Sequence, residues 1–186
     1  MKKSKSLLIV VAIVIVLVIA GISSYNGLVS SETSVDNKFS AIDVQLQRRA
    51  ELIPNLVSTV KGYAAHEKEV LTAISDARAR LAGAGTPEQK AQADADLTSA
   101  LSRLLVIVEN YPNLKADAQF TRLMDELSGT ENRIAVARKD YNDAVSNYNV
   151  KIRRFPAAIF AGMFGFEKKP FFTAKEGADT APEVKF

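Results

Sequence analysis

Between residues 35 and 81, apolar side chains recur in alternating steps of four and three. The positions are Val35, Phe39, Ile42, Leu46, Arg49, Ile53, Leu56, Val60, Tyr63, Glu67, Val70, Ile74, Ala77 and Leu81, and all but Arg49 and Glu67 are apolar. This period marks one stripe of a long helix, built for burial against other helices with coiled-coil-like heptads. Pro54 falls inside the stripe. Proline removes an i→i−4 bond and crowds the carbonyl four residues earlier, that of Ala50. Because Ile53, Leu56 and Val60 keep phase through it, the pattern predicts a kink at Pro54 rather than a break. A continuous helix over residues 26–81 would extend roughly 84 Å.

Gly83-Ala84-Gly85 ends this run, and Thr86-Pro87-Glu88-Gln89 reads as a capping box with Thr86 as N-cap. The second helix reaches about Glu109, with Leu97, Leu101, Leu104 and Val108 on one face. Asn110-Tyr111-Pro112-Asn113 is the next turn. A third helical stretch, residues 114–154, carries Phe120, Met124, Leu127, Glu131, Ile134, Arg138, Tyr141, Val145, Tyr148 and Ile152 at the same spacing. Ser128-Gly129-Thr130 either divides it or is the weak point of one helix, and the unbroken phase favours one helix. The fold expected is all-α: an N-terminal transmembrane helix running into a long kinked helix, packed in an elongated antiparallel bundle of three or four helices.

Upstream, residues 7–22 are sixteen positions without a polar side chain, and no charge occurs between Lys5 and Glu32. With Ser6, Ser23, Ser24 and Tyr25 the segment reaches about 20 residues, or ~30 Å, enough to cross a bilayer core. A cleaved signal peptide is the rival reading, since Val18-Ile19-Ala20 resembles a cleavage site. The length of the run and the absence of a helix breaker before the heptads favour an anchor. Lys2, Lys3 and Lys5 precede the span, whereas Glu32 and Asp36 open its far flank. The positive-inside rule therefore leaves residues 1–6 in the cytoplasm and the helical domain outside.

Composition removes several chemistries. The chain has no cysteine, one histidine (His66) and no tryptophan. Its net charge of +3 is supplied by Lys2, Lys3 and Lys5, leaving a neutral main body with no basic, aromatic-interleaved cluster for nucleic acid. His66-Glu67 begins a zinc-protease motif, but Val70 occupies the position of the second histidine. No G-x-S-x-G elbow or phosphate-binding glycine loop occurs. No catalytic, cofactor-binding or metal residue is expected.

The polar interruptions of the stripes are more informative. Arg49 and Glu67 lie in the first, Glu131 and Arg138 in the third, one of each sign per helix. Either they form cross-helix ion pairs that fix register, or each reaches solvent at the bundle edge. Residues 155–172 hold six of the nine phenylalanines. Either these aromatics cap an open bundle end, or the segment lies at the membrane interface beside Tyr25, through Phe155, Ile159, Phe160, Met163, Phe164 and Phe166, with Lys168 and Lys169 for anionic lipid. Residues 173–186 are polar and expected to form a disordered tail. The second helix is shorter than the first stripe, so the membrane-proximal part of that stripe is expected to lack a partner within the chain. An equivalent helix of a second copy would cover it, which makes the chain a homo-oligomer.

Several strings resemble the LemA family of bacterial single-pass membrane proteins. They are Gln45-Leu46-Gln47-Arg48-Arg49, Leu52-Ile53-Pro54-Asn55-Leu56-Val57 and Lys61-Gly62-Tyr63-Ala64 with His66-Glu67. Glu109-Asn110-Tyr111-Pro112 with Leu114-Lys115 follows, then Glu131-Asn132-Arg133-Ile134-Ala135-Val136-Ala137-Arg138 with Asp140-Tyr141-Asn142. Tyr148-Asn149, Phe155-Pro156 and Gly165-Phe166 close the match, which covers residues 25–172. Phe39 stands where many relatives carry tryptophan. The resemblance implies a bacterial inner-membrane anchor with an elongated helical bundle over residues 26–155. It implies no catalytic residues, and links to membrane organisation, including magnetosome membranes, and to membrane zinc proteases. The function expected is a non-enzymatic scaffold that self-assembles and organises or shapes membrane. The alternative is an adaptor or regulator of a membrane protein partner such as a protease.

Overall fold

The computed structural model describes residues 2–173, with side chains from residue 8 onwards. The expected tail over residues 173–186 therefore lies, beyond Thr173, outside the described residues. These residues are all-α, without a strand. The helices are α1 (Lys2–Tyr63), α2 (Lys68–Gly83), α3 (Pro87–Val108), α4 (Pro112–Lys115), α5 (Ala118–Lys151) and α6 (Ala157–Phe164).

The long first helix does not reach Leu81. It ends at Tyr63, and residues 64–67 form a tight turn in which Glu67 N–H donates to Ala64 and Lys68 N–H to His66. Extended straight, the chain would carry Val70, Leu71, Ile74, Ala77 and Leu81 away from any partner. Folded back, all five are buried, and each large aliphatic side chain gains about 1.5–3 kcal/mol. That outweighs a few lost helix bonds. The heptad phase crosses the turn because both helices face the same core. Tyr63 and Glu67, nominally in the stripe, are exposed and half-buried, while Ala64 takes the core position.

The chain divides into two compact units, Phe39–Asp140 with Phe171–Phe186, and Met1–Lys38 with Tyr141–Pro170. The first is an up-down-up-down bundle of four helices. Arg80 meets Asp96 at 3.4 Å and Arg103 meets Glu69 at 2.8 Å, so α2 and α3 are antiparallel. Arg48 to Glu126 and Tyr63 to Asp117, both at 2.9 Å, run α5 antiparallel to α1. Lys90 reaches Asp43, which keeps α3 parallel to α1.

Helix α1 runs through Pro54 without interruption. Pro54 has no N–H for the Ala50 carbonyl. Arg78 Nε, from α2, donates to that carbonyl at 2.9 Å instead. The expected capping box starts α3, with Gln89 N–H donating to Thr86 Oγ1 at 3.2 Å. Asp117 caps α5 through the Phe120 N–H at 2.8 Å. Helix α5 passes Gly129 unbroken, as its unbroken phase suggests: glycine costs about 1 kcal/mol, less than burying Leu127, Thr130 and Ile134 around it returns.

In the other unit, the beginning of α1 packs with the end of α5, with α6 and with an irregular strap over residues 165–170. Lys151 Nζ donates to Gly27 O at 2.6 Å and to Ser31 Oγ at 2.8 Å. At this level Leu28, Val35, Tyr148 and Ile152 are all buried. The membrane-proximal stripe thus has its partner within the chain, contrary to the expectation that a second copy must cover it. The second helix was too short to do so, but α5 is 34 residues long and runs past it. Asn149 clamps the strap like a neighbouring strand edge, donating to Lys169 O and accepting from Lys169 N–H, each at 2.9 Å. Tyr141 donates to Pro170 O at 2.9 Å.

Candidate functional site

Two arrangements stand out, one buried and one exposed. In the bundle core, Arg49 Nη1 lies 2.6 Å from Asp94 Oδ1 and 2.5 Å from Glu131 Oε2. Arg138 Nη2 reaches the other Asp94 oxygen at 3.3 Å, and the Arg138 guanidinium lies 5.5 Å from the Phe172 ring centroid. Arg49 and Asp94 are almost wholly buried. Burial pushes the Asp94 carboxyl above its usual range, Arg49 draws it back, and Glu131 adds to the rise. Two guanidiniums and two carboxylates from α1, α3 and α5 thus meet in one cluster, with Arg49 and Asp94 buried and Glu131 and Arg138 reaching the bundle edge.

Of the four charges singled out in the stripes, the structure brings Arg49, Glu131 and Arg138 together. Glu67 is elsewhere: its carboxylate accepts from Tyr111 Oη at 2.7 Å at the far turn. Asp94 is the member that sequence reasoning missed. It sits three residues before Leu97 and continues the stripe of Leu97, Leu101, Leu104 and Val108, so the rule that found Arg49 would have found it. His66 is exposed in the turn before α2. Among the described residues no group of His, Asp and Glu could hold a metal ion.

The exposed arrangement lies on α1 where its apolar run ends. Helix α1 is long and apolar enough to cross a membrane, and Leu8 to Ile19 expose their large side chains. Helix α6 folds back on it. A Cβ on Gly21 would stand 3.1 Å from the Phe160 ring, closer than ordinary contact, so the ring packs tightly on the bare backbone there. Tyr25 makes edge contacts with Phe164 at 4.9 Å and Phe166 at 5.9 Å between centroids. Ile159, Met163 and Phe164 stay exposed on α6, and Phe155 is 81% exposed just before it. Between the two helices runs an apolar groove of about 720 Å³, reaching along α1 from Val14 to Tyr25.

The aromatic segment divides between helix contacts and exposed faces. Phe160 and Phe166 are half-buried against α1, Phe164 is partly exposed beside Tyr25, Phe172 is buried at the bundle, and Phe155, Ile159 and Met163 are exposed. Lys169, read as a lipid contact, instead pairs with Glu32 at 2.8 Å. That hydrogen bond raises its pKa, with burial opposing.

The sequence profile of the LemA family matches residues 38–186. The chain is 32% identical over 182 aligned residues to Magnetosome protein MamQ 2 of Paramagnetospirillum magneticum, covering 84% of this chain and 67% of the relative. It is 31% identical over 182 residues, with the same coverage, to Magnetosome protein MamQ of Magnetospirillum gryphiswaldense. Protein LemA of Metamycoplasma hominis is 24% identical over 152 residues, covering 81% of this chain and 69% of the relative. The family profile covers most of the chain and the MamQ relatives match it at about a third identity, so the chain belongs to the LemA family.

Proposed function

We propose that this protein is a membrane-anchored, non-enzymatic helical scaffold that organises and shapes the bilayer around its anchor. The observation that carries the reading is α6 docked on α1 through Phe160 at Gly21 and Phe164 at Tyr25, with Ile159 and Met163 left exposed. A short apolar helix beside the last turns of a membrane span occupies one leaflet only. It widens that leaflet relative to the other, which favours curvature. Residues 1–6 face the cytoplasm and the helical bundle the opposite side, following the charge asymmetry of the flanks.

Because the chain lacks cysteine, single-cysteine labelling tests the placement directly. A nitroxide on Met163→Cys, in full-length protein reconstituted into vesicles, is expected to collide with oxygen more than with a water-soluble nickel chelate. One on Val106→Cys, 73% exposed on α3, shows the reverse. A nickel-accessible residue 163 would sink the reading. The shaping role predicts that mean vesicle diameter falls as the protein-to-lipid ratio rises, and that replacing Ile159, Met163 and Phe164 by serine abolishes the fall.

Self-association loses its original premise, because Leu28 and Val35 are buried within one chain. Among the described residues, the longest exposed apolar run open to a second copy is residues 8–19. Light scattering of the full-length protein in mild detergent measures it, and a monomeric mass removes self-assembly from the proposal.

A further inference from the structure

The groove between α1 and α6 has dimensions and surroundings of its own. From Val14 to Tyr25 it follows α1 for eleven helical rises, about 16 Å, half the ~30 Å thickness of a bilayer core. It is therefore one leaflet deep. Its walls are apolar, supplied on the α6 side by Ile159, Phe160 and Phe164. Three cations follow one another in the chain where α5 gives way to α6. Lys151 is held at the level of Gly27 by its bonds to Gly27 O and Ser31 Oγ. Arg153 and Arg154 come next and are exposed. Phe160 then returns to Gly21. The two arginines thus belong to the connection that joins the Lys151 contact at Gly27 to the Phe160 contact at Gly21, two points about 9 Å apart along α1. That is the stretch where the apolar run gives way to Ser23, Ser24 and Tyr25. None of the three cations has a carboxylate partner among the described residues.

We propose that this groove binds one anionic phospholipid of the surrounding leaflet. An acyl chain lies between α1 and α6, and Lys151, Arg153 and Arg154 hold the phosphate. The apolar walls continue the exposed surface of the membrane span, so the occupant reaches the groove from the bilayer. The unpaired arginines supply the charge that selects an anionic headgroup over a zwitterionic one. The site rests on the membrane placement proposed above, and it adds a ligand class and the residues that recognise it.

Native mass spectrometry of the full-length protein in mild detergent, titrated separately with phosphatidylglycerol and phosphatidylcholine, tests the site. Wild type is expected to retain one phosphatidylglycerol with at least threefold higher occupancy than phosphatidylcholine. The Arg153→Gln/Arg154→Gln variant loses that preference at an unchanged melting midpoint. Val18→Phe, which fills the groove, lowers retention of both lipids, and a tenfold excess of glycerol phosphate displaces neither. Equal retention by wild type, an intact preference in the arginine variant, unchanged retention in Val18→Phe, or displacement by glycerol phosphate each overturns the proposal. The nitroxide at residue 163 separates the two failures. A label within the bilayer together with no lipid preference removes this site alone, whereas an aqueous label removes the membrane placement and the site with it.

Discussion

Arg49 enters the bundle core from α1 with 3% exposure, and its charge is met by Asp94 and Glu131 rather than by water. Removing one partner of a buried ion pair is more damaging than replacing both, because the survivor stays buried and uncompensated. Asp94→Ala is therefore expected to lower stability by about 3 kcal/mol in chemical denaturation of the full-length protein, with secondary structure retained. The pH dependence has a definite sign. A carboxyl whose folded pKa is raised holds its proton longer in the folded state, so its contribution to stability is present below the unfolded value and lost as pH rises through the folded one. In that acidic window wild type should lose stability with rising pH relative to Asp94→Asn, and parallel pH profiles would refute it. Tyr148 differs in having no partner: among the described residues its hydroxyl is buried without a hydrogen bond, and burial raises its pKa. Tyr148→Phe removes a desolvated group and should leave the thermal midpoint equal or higher. Arg49, Glu131 and Arg138 were legible as breaks in apolar stripes. Asp94 was equally legible by the same rule, applied to the helix where it was not used.

At the level of elements, Pro54 does more than interrupt a hydrogen-bond ladder. It frees the Ala50 carbonyl, and Arg78 from α2 takes it. A helix defect in α1 thereby becomes the acceptor that ties down its neighbour. Arg78→Ala should cost about 2 kcal/mol, in the range for a hydrogen bond from a charged donor, in wild type. It should cost little in a Pro54→Ala background, where the backbone N–H restored by the substitution takes the carbonyl. Additive effects in that double-mutant cycle would remove the link. Thr86→Ala, which takes away the side chain that starts α3, is expected to cost about 1 kcal/mol, measured by denaturant midpoint. The capping box and the turn at Pro112 were readable because their residues act locally. The end of α1 at Tyr63 was not. A period of four and three steps looks the same whether a stripe continues along one helix or folds back as two, since both halves must bury an apolar face. What decides between them is the fate of Val70, Ile74 and Leu81, and that depends on long-range packing.

For the molecule as a whole, the two parts of the chain differ in what a sequence can reveal about them. The four-helix unit is built from consecutive segments, and its periodicity and caps announce it. The other unit joins the start of α1 to residues more than a hundred positions later. Its strap over residues 165–170 has neither helical nor strand period, and Asn149, Tyr141 and Glu32 hold it by individual polar bonds. Nothing local in the strap names those partners, so that half of the candidate site was visible only as a cluster of aromatics. The contact between Lys151 and Gly27, 124 residues apart, also has a meaning in time. A ribosome adding about 5–20 residues per second delivers the start of α1 roughly 6 to 25 seconds before the segment that covers it. Throughout that interval Leu28 and Val35 are exposed on a chain whose neighbouring apolar run is ready to insert. The newborn protein therefore passes through a stage in which its membrane-proximal stripe is open to chaperones or to other nascent copies, and completing α5 closes that stage.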